Sequence, residues 1–175
     1  RTATAWRVDS AGATRITTTG RVNAVRGDRY IGILGLREDL FPIDGVFTGG
    51  ASEPDWQAEA LKAFSPDGLW VIRQFSEGLG ASELAVLDAE TGEPQVQWQR
   101  TAAEGATALG DPVWEDETHL VQLLTQGREV VIARFGLDGT FKRVWGGFGR
   151  GPDQLIEPVG LAIGPDGLIY VADSG

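Results

Sequence analysis

At 175 residues the chain is long enough to bury one core, and 15 Lys and Arg against 25 Asp and Glu leave a net charge of −10, which repels phosphate backbones and speaks against nucleic-acid binding without a local basic patch. It has no cysteine, which excludes disulfides, zinc–thiolate centres and thiol catalysis; no apolar run approaches the ~18 residues of a membrane span, and no signal-peptide pattern is present. A chain that starts at Arg1 and contains no methionine reads as a processed, trimmed or engineered product; its compartment is left open, with an extracytoplasmic or secreted setting slightly favoured.

The 25 glycines, spread along the chain with eight prolines, favour many tight turns over a few long helices. In chain order, Thr2–Val8 and Ala13–Thr18 read as strands around a turn at Gly12. Tyr30-Ile31-Gly32-Ile33-Leu34 follows the turn Arg26-Gly27-Asp28, and Ile43-Asp44-Gly45 reads as a further turn. The one helical candidate, Glu53 to Phe64, lacks a convincing apolar stripe and runs into Pro66, so all-β is the expectation. Strands follow at Ala60–Phe64, Leu69–Phe75, Glu83–Leu87 and Gln95–Arg100. A second set covers Ala108–Trp114, His119–Leu124, Val130–Phe135 and Thr140–Trp145, and the last pair is Val159–Ile163 and Leu168–Ala172.

Two turn types recur. The first, at Ser65-Pro66-Asp67-Gly68, Glu115-Asp116-Glu117-Thr118 and Gly164-Pro165-Asp166-Gly167, starts at positions 50 and 49 apart. The second ends in Gly45, Gly92 and Gly139, at intervals of 47 and 47. Read as a circle, the chain brings Gly12 in 48 residues after Gly139 and leaves a short unit of 33. Four-stranded repeats of ~40–50 residues are the signature of propeller blades. The expected single domain therefore has outer strands of blade 4 at 1–19, blade 1 at 20–50, blade 2 at 58–100, blade 3 at 106–146 and inner strands of blade 4 at 155–175. Its two ends would complete one blade and place Arg1 near Gly175.

Trp145-Gly146-Gly147-Phe148-Gly149-Arg150-Gly151-Pro152-Asp153-Gln154-Leu155, with Pro158 and Gly160 through Gly175, closely resembles an NHL repeat. Phe64-Ser65-Pro66-Asp67-Gly68 with Leu84 through Gly92, and Pro112 through Glu117 with Ala133 through Gly139, resemble blades of the WD40 or TolB-like kind. Rings of those families usually have six to eight blades. Three arrangements stay open: closure with four, pairing of two chains into a homodimeric ring of eight, or membership of a larger propeller. An engineered chimera is a further option.

No catalytic set stands out. His119, the sole histidine, could pair with Asp116, but a strand-start residue beside a solvated turn is the preferred reading. The Asp-Gly turns offer one or two carboxylates each, too few for a calcium loop; Asp and Gly suit tight turns for conformational reasons. Gly146 to Gly151 precedes a proline and a strand, unlike a dinucleotide loop, and reads as an inter-blade connection. Five of the six tryptophans lie on expected strands; Trp56 lies in a polar connection, where it is either a binding anchor or folded under the loop. Strand polarity puts Glu53–Gln57, Ser76–Ser82, Thr101–Gly110, Gln126–Arg128 and Gly147–Gln154 on one face, and function concentrates in such loops. The candidate binding residues are Asp55, Trp56, Glu77, Glu104, Arg128, Arg150 and Asp153, with no cofactor and no metal ligand. The leading function is a non-catalytic propeller scaffold binding a protein, peptide or glycan. A reconstructed, self-assembling propeller is the alternative, and a lyase- or lactonase-like enzyme, as some NHL-like propellers are, comes last because one His and the single Asn23 supply almost none of the metal ligands such enzymes imply.

Overall fold

The computed structural model describes residues 4–9, 12–17, 22–36, 42–77, 81–100 and 106–175. Every regular element among them is a strand, and the sheets are antiparallel, the blade-like construction of a β-propeller. By contacts the chain divides into two units, Arg1–Arg73 with Leu87–Pro94, and Gln74–Val86 with Gln95–Gly175.

In the first unit, β1 (Thr4–Asp9) and β2 (Gly12–Thr17) form a hairpin. Next, β3 (Val22–Arg26), β4 (Arg29–Leu36), β5 (Pro42–Thr48) and β6 (Trp56–Glu59) form a four-stranded sheet in chain order. Tyr30 and Phe47 are cross-strand partners, and their buried rings stack with centroids 4.9 Å apart, against Val22 and Leu34. Aromatic pairs of this kind add to the area they bury.

The sheet of β7 (Leu61–Phe64), β8 (Trp70–Glu77), β9 (Ala81–Asp88) and β10 (Pro94–Arg100) runs β10-β9-β8-β7. Four expected strands thus fall within one or two residues of their observed ends. Glu53 to Phe64 is not helical: it contributes β6 and β7, separated by Ala60 in the left-handed region at φ 56°.

The second unit holds β11 (Ala106–Ala108), β12 (Val113–Trp114), β13 (His119–Gln126), β14 (Glu129–Gly136) and β15 (Phe141–Gly146), then β16 (Pro158–Ile163) and β17 (Ile169–Asp173). The sheet order is β11-β13-β14-β15, with β12 also on β13, and β16 pairs with β17. Strand alternation sorts β14 cleanly. Ile132 faces Val121, Leu123, Trp145, Leu155 and Ile169, while Val131, Ala133 and Phe135 face Leu124 and Ala106.

Three expectations are corrected. Ala108–Trp114 is two short strands, because Gly110 takes φ 112° and Pro112 carries no N–H for the ladder. Asp44-Gly45 is no turn: both residues are buried inside β5. The glycine that matches Gly92 and Gly139 in its sheet is Gly49, at φ 61°, in the turn after β5. Trp56 is not in a connection but opens β6, whose inclusion carries the first sheet to Glu59. The expected approach of the termini rests on Arg1, which lies outside the described residues.

The recurring turns behave as their residue types require. Asp67, Asp138 and Asp166 each accept the N–H two residues on, from Leu69 at 3.0 Å, Thr140 at 3.0 Å and Leu168 at 3.1 Å. The following Gly68, Gly139 and Gly167 all have φ between 74° and 79°. Asp116 does the same for Thr118 at 2.7 Å without a glycine, and Asp88 takes the N–H groups of Glu90 and Thr91. These are side-chain mimics of a backbone turn.

Candidate binding cleft

A cleft of about 490 Å³ opens in the second unit where β14 and β15 meet the 147–157 connection and the β16–β17 turn. Ile132, Trp145, Leu155, Leu168 and Ile169 give it an apolar wall; Glu115, Asp153 and Gln154 are polar, and Gly146 and Gly167 bring backbone to the surface. Leu168 is 60% exposed, so part of the wall faces solvent. Across the Trp145 ring lies the Arg143 guanidinium, 4.8 Å from the centroid.

The connection that shapes the cleft is held by its own hydrogen bonds. Leu155 N–H donates to Gly147 at 2.8 Å, Gly149 N–H to Leu155 at 3.2 Å and Gln154 N–H to Gly151 at 3.2 Å. The Gln154 side-chain oxygen turns back to accept the Gly151 N–H at 2.8 Å and lies against Gly149. Only glycine leaves room for that amide, and at φ 152° only glycine adopts the backbone readily. Below it, the Asp173 carboxylate accepts the N–H groups of Ile156 at 3.0 Å and Glu157 at 2.7 Å, tying the last strand to the end of the connection. The Ile156 N–H is the leading reason that the Asp173 carboxyl titrates below the usual carboxylate range.

Charge at the cleft is unevenly matched. Glu115 is clamped by Arg134 Nε at 2.5 Å, and the same guanidinium lies 3.7 Å from Asp116. His119 Nδ1 lies 3.0 Å from Asp116. The structure thus joins His119 to Asp116, yet Asp116 also takes the Thr118 N–H and hydroxyl and so serves its turn. Burial pushes the Asp116 carboxyl up, and these hydrogen bonds more than offset it, leaving it below the usual range. Asp153, exposed and left-handed at φ 63°, makes no ion pair or hydrogen bond with the described residues.

Of the seven residues singled out in the sequence, Asp153 lines the cleft and Arg150 lies exposed in the same connection. Arg128 occupies a two-residue hairpin loop between β13 and β14, beside Gly127 at φ 65°. The next residue, Glu129, accepts the Phe148 N–H at 2.7 Å, so this hairpin and the 147–157 connection meet, as strand polarity leads one to expect. Glu77 ends β8, and Glu104 lies outside the described residues. Asp55 and Trp56 belong to the first unit, where they do structural work. Asp55 accepts the Thr48 hydroxyl at 2.7 Å; Trp56 is half-buried, donates its indole N–H to Ala89 at 3.1 Å and covers Gly92.

Sequence reasoning missed Glu115, Trp145 and Leu168 as cleft residues. Leu168 carried a usable signal: an apolar residue directly after a Pro-Asp-Gly turn, where β17 begins only at Ile169.

Residues 155–175 match the family model of the NHL repeat, a segment that runs from the Leu155 wall of the cleft through β16 and β17. No curated protein matches the chain. Sheets and match together define a propeller-type repeat scaffold.

Proposed function

We propose that the chain is a non-catalytic propeller scaffold that binds a protein or peptide through the end of its sheets carrying the 147–157 connection and the β13–β14 hairpin. One observation carries the reading: a long connection, ordered by its own backbone and by Gln154, borders an apolar cleft. Binding residues concentrate in such loops on rigid strands, and ligand clefts combine apolar walls with few polar groups. The residue inventory agrees, since the single Asn23 is engaged with Asp44 at 3.3 Å and the single histidine with a turn aspartate.

The test is capture of partners by the immobilised chain, followed by cross-linking and mass spectrometry. Cross-links on 147–157 and 126–129 support the reading. Cross-links confined to other strands and turns, a glycan as the sole ligand, or a stoichiometric metal with turnover overturn it.

A second reading, self-assembly, is favoured by β17, which among the described residues pairs with β16 alone. A strand with an open edge invites another strand, from the chain's own N-terminus or from a second copy. Native mass spectrometry separates the two: a monomer speaks for the first and a dimer for the second.

A further inference from the structure

We propose that the cleft takes a lysine or arginine side chain of a protein partner, flanked in that partner by an apolar residue. The inference rests on the scaffold reading above and adds the chemistry of what this site accepts.

Both ionisable groups lining the cleft are carboxylates, Glu115 and Asp153. They differ in availability. Arg134 already neutralises Glu115, whereas Asp153 is exposed and engages none of the described residues. Among the described residues that line the cleft, the uncompensated charge is therefore negative and sits on Asp153, while the Arg143 cation lies against the Trp145 ring. A phosphate or an acidic segment would be repelled there, within a chain of net charge −10. A purely apolar segment would desolvate the carboxylate without a partner, which is unfavourable.

The walls narrow the cation further. Ile132, Trp145, Leu155 and Leu168 line the same cleft as the carboxylates, so the ligand needs an apolar stem as well as a charged head. Lysine and arginine bury their methylene stems against apolar surface while the head stays with a charge or with water. The Trp145 ring already holds one guanidinium, that of Arg143, at 4.8 Å, which shows the ring to be suited to such a group. At about 490 Å³ the cleft exceeds a single side chain, and the outer part of Leu168 is open to a neighbouring apolar residue.

The test uses the full chain and fluorescence anisotropy with two fluorescein-labelled decapeptides, one alternating arginine and leucine, the other with glutamate replacing each arginine. Asp153→Asn is the discriminating variant, because asparagine tolerates the left-handed backbone at this position. Leu168→Ser is the second, at a site exposed enough to leave the fold intact. The arginine peptide is expected to bind and the glutamate peptide not to bind. Asp153→Asn should weaken binding roughly threefold to tenfold, Leu168→Ser should weaken it independently, and the Trp145 indole resonance should shift on titration. Equal affinity for wild type and Asp153→Asn indicates diffuse attraction to an acidic chain and overturns the inference, as does binding of the glutamate peptide or of neither peptide. If partners still cross-link to 147–157 in those cases, the scaffold reading stands without this ligand; if they do not, both fall.

Discussion

The indole N–H of Trp56 donates to the carbonyl of Ala89 at 3.1 Å, and the same ring lies over Gly92. A residue more than thirty positions upstream thereby braces the turn between β9 and β10. A Cβ at position 92 would stand 2.7 Å from the ring, on a backbone at φ 75°. Gly92→Ala combines steric overlap with left-handed strain and should cost about 2–3 kcal/mol, read from the urea midpoint. Trp56→Phe, which removes the hydrogen bond and part of the ring, should cost about 1–2 kcal/mol.

Asp44 accepts the Leu61 N–H at 2.9 Å and the Asn23 amide at 3.3 Å from a buried position in β5. Asp44→Ala leaves a buried N–H without its acceptor and should destabilise by about 2 kcal/mol. Asp44→Asn keeps an oxygen for Leu61 and should cost clearly less. Equilibrium unfolding of both variants checks the order.

Acid should weaken the fold. Asp88, Asp138 and Asp166 titrate below the usual value chiefly through hydrogen bonds within their turns, and Asp173 chiefly through the Ile156 N–H; at Asp116 burial is the largest influence and raises the carboxyl, but the turn hydrogen bonds more than offset it. Each such group adds stability that is full above the unfolded carboxyl value of about 3.9 and is lost as pH falls through its lower folded value. Asp44 has the opposite sign: burial raises its carboxyl, so its contribution is full below the unfolded value and is lost as pH rises through the folded one. With five groups against one among the described carboxylates, urea midpoints should fall as pH drops below about 4. Asp44→Asn should in turn flatten the dependence on the alkaline side of that value.

Gly149 leaves room for the Gln154 amide, and any side chain there displaces it. Gly149→Ala should loosen the connection while the sheets persist. The expected result is faster tryptic cleavage after the exposed Arg150 with far-ultraviolet circular dichroism unchanged; an unaltered cleavage rate would contradict the role given to Gln154.

Strands and turns were legible because they are local. Asp67, Asp138 and Asp166 act on an N–H two residues away, and the glycine after each needs no distant contact to require its conformation. The same local cue misled at Asp44-Gly45, where the dipeptide reads as a turn but lies in a strand, with Pro54 and Phe47 packed on Gly45 and Leu61 on Asp44. Trp56 was ambiguous for a related reason. Its polar neighbours describe a connection, and only Ala89 and Gly92, more than thirty residues on, show what its ring is for.

The sequence by itself determined an all-β chain of repeated antiparallel strands, the spacing of its turns and the NHL-like character of its last strands, since period-two alternation and turn chemistry act over a few residues. Tertiary structure alone decided that Glu115, Trp145, Asp153 and Leu168 share one cleft, that Asp153 engages none of the described residues, and that Asp44 and Trp56 support the fold. Those outcomes depend on which side chains meet across strands tens of residues apart, and the geometry of packing, not the order of residues, sets such meetings.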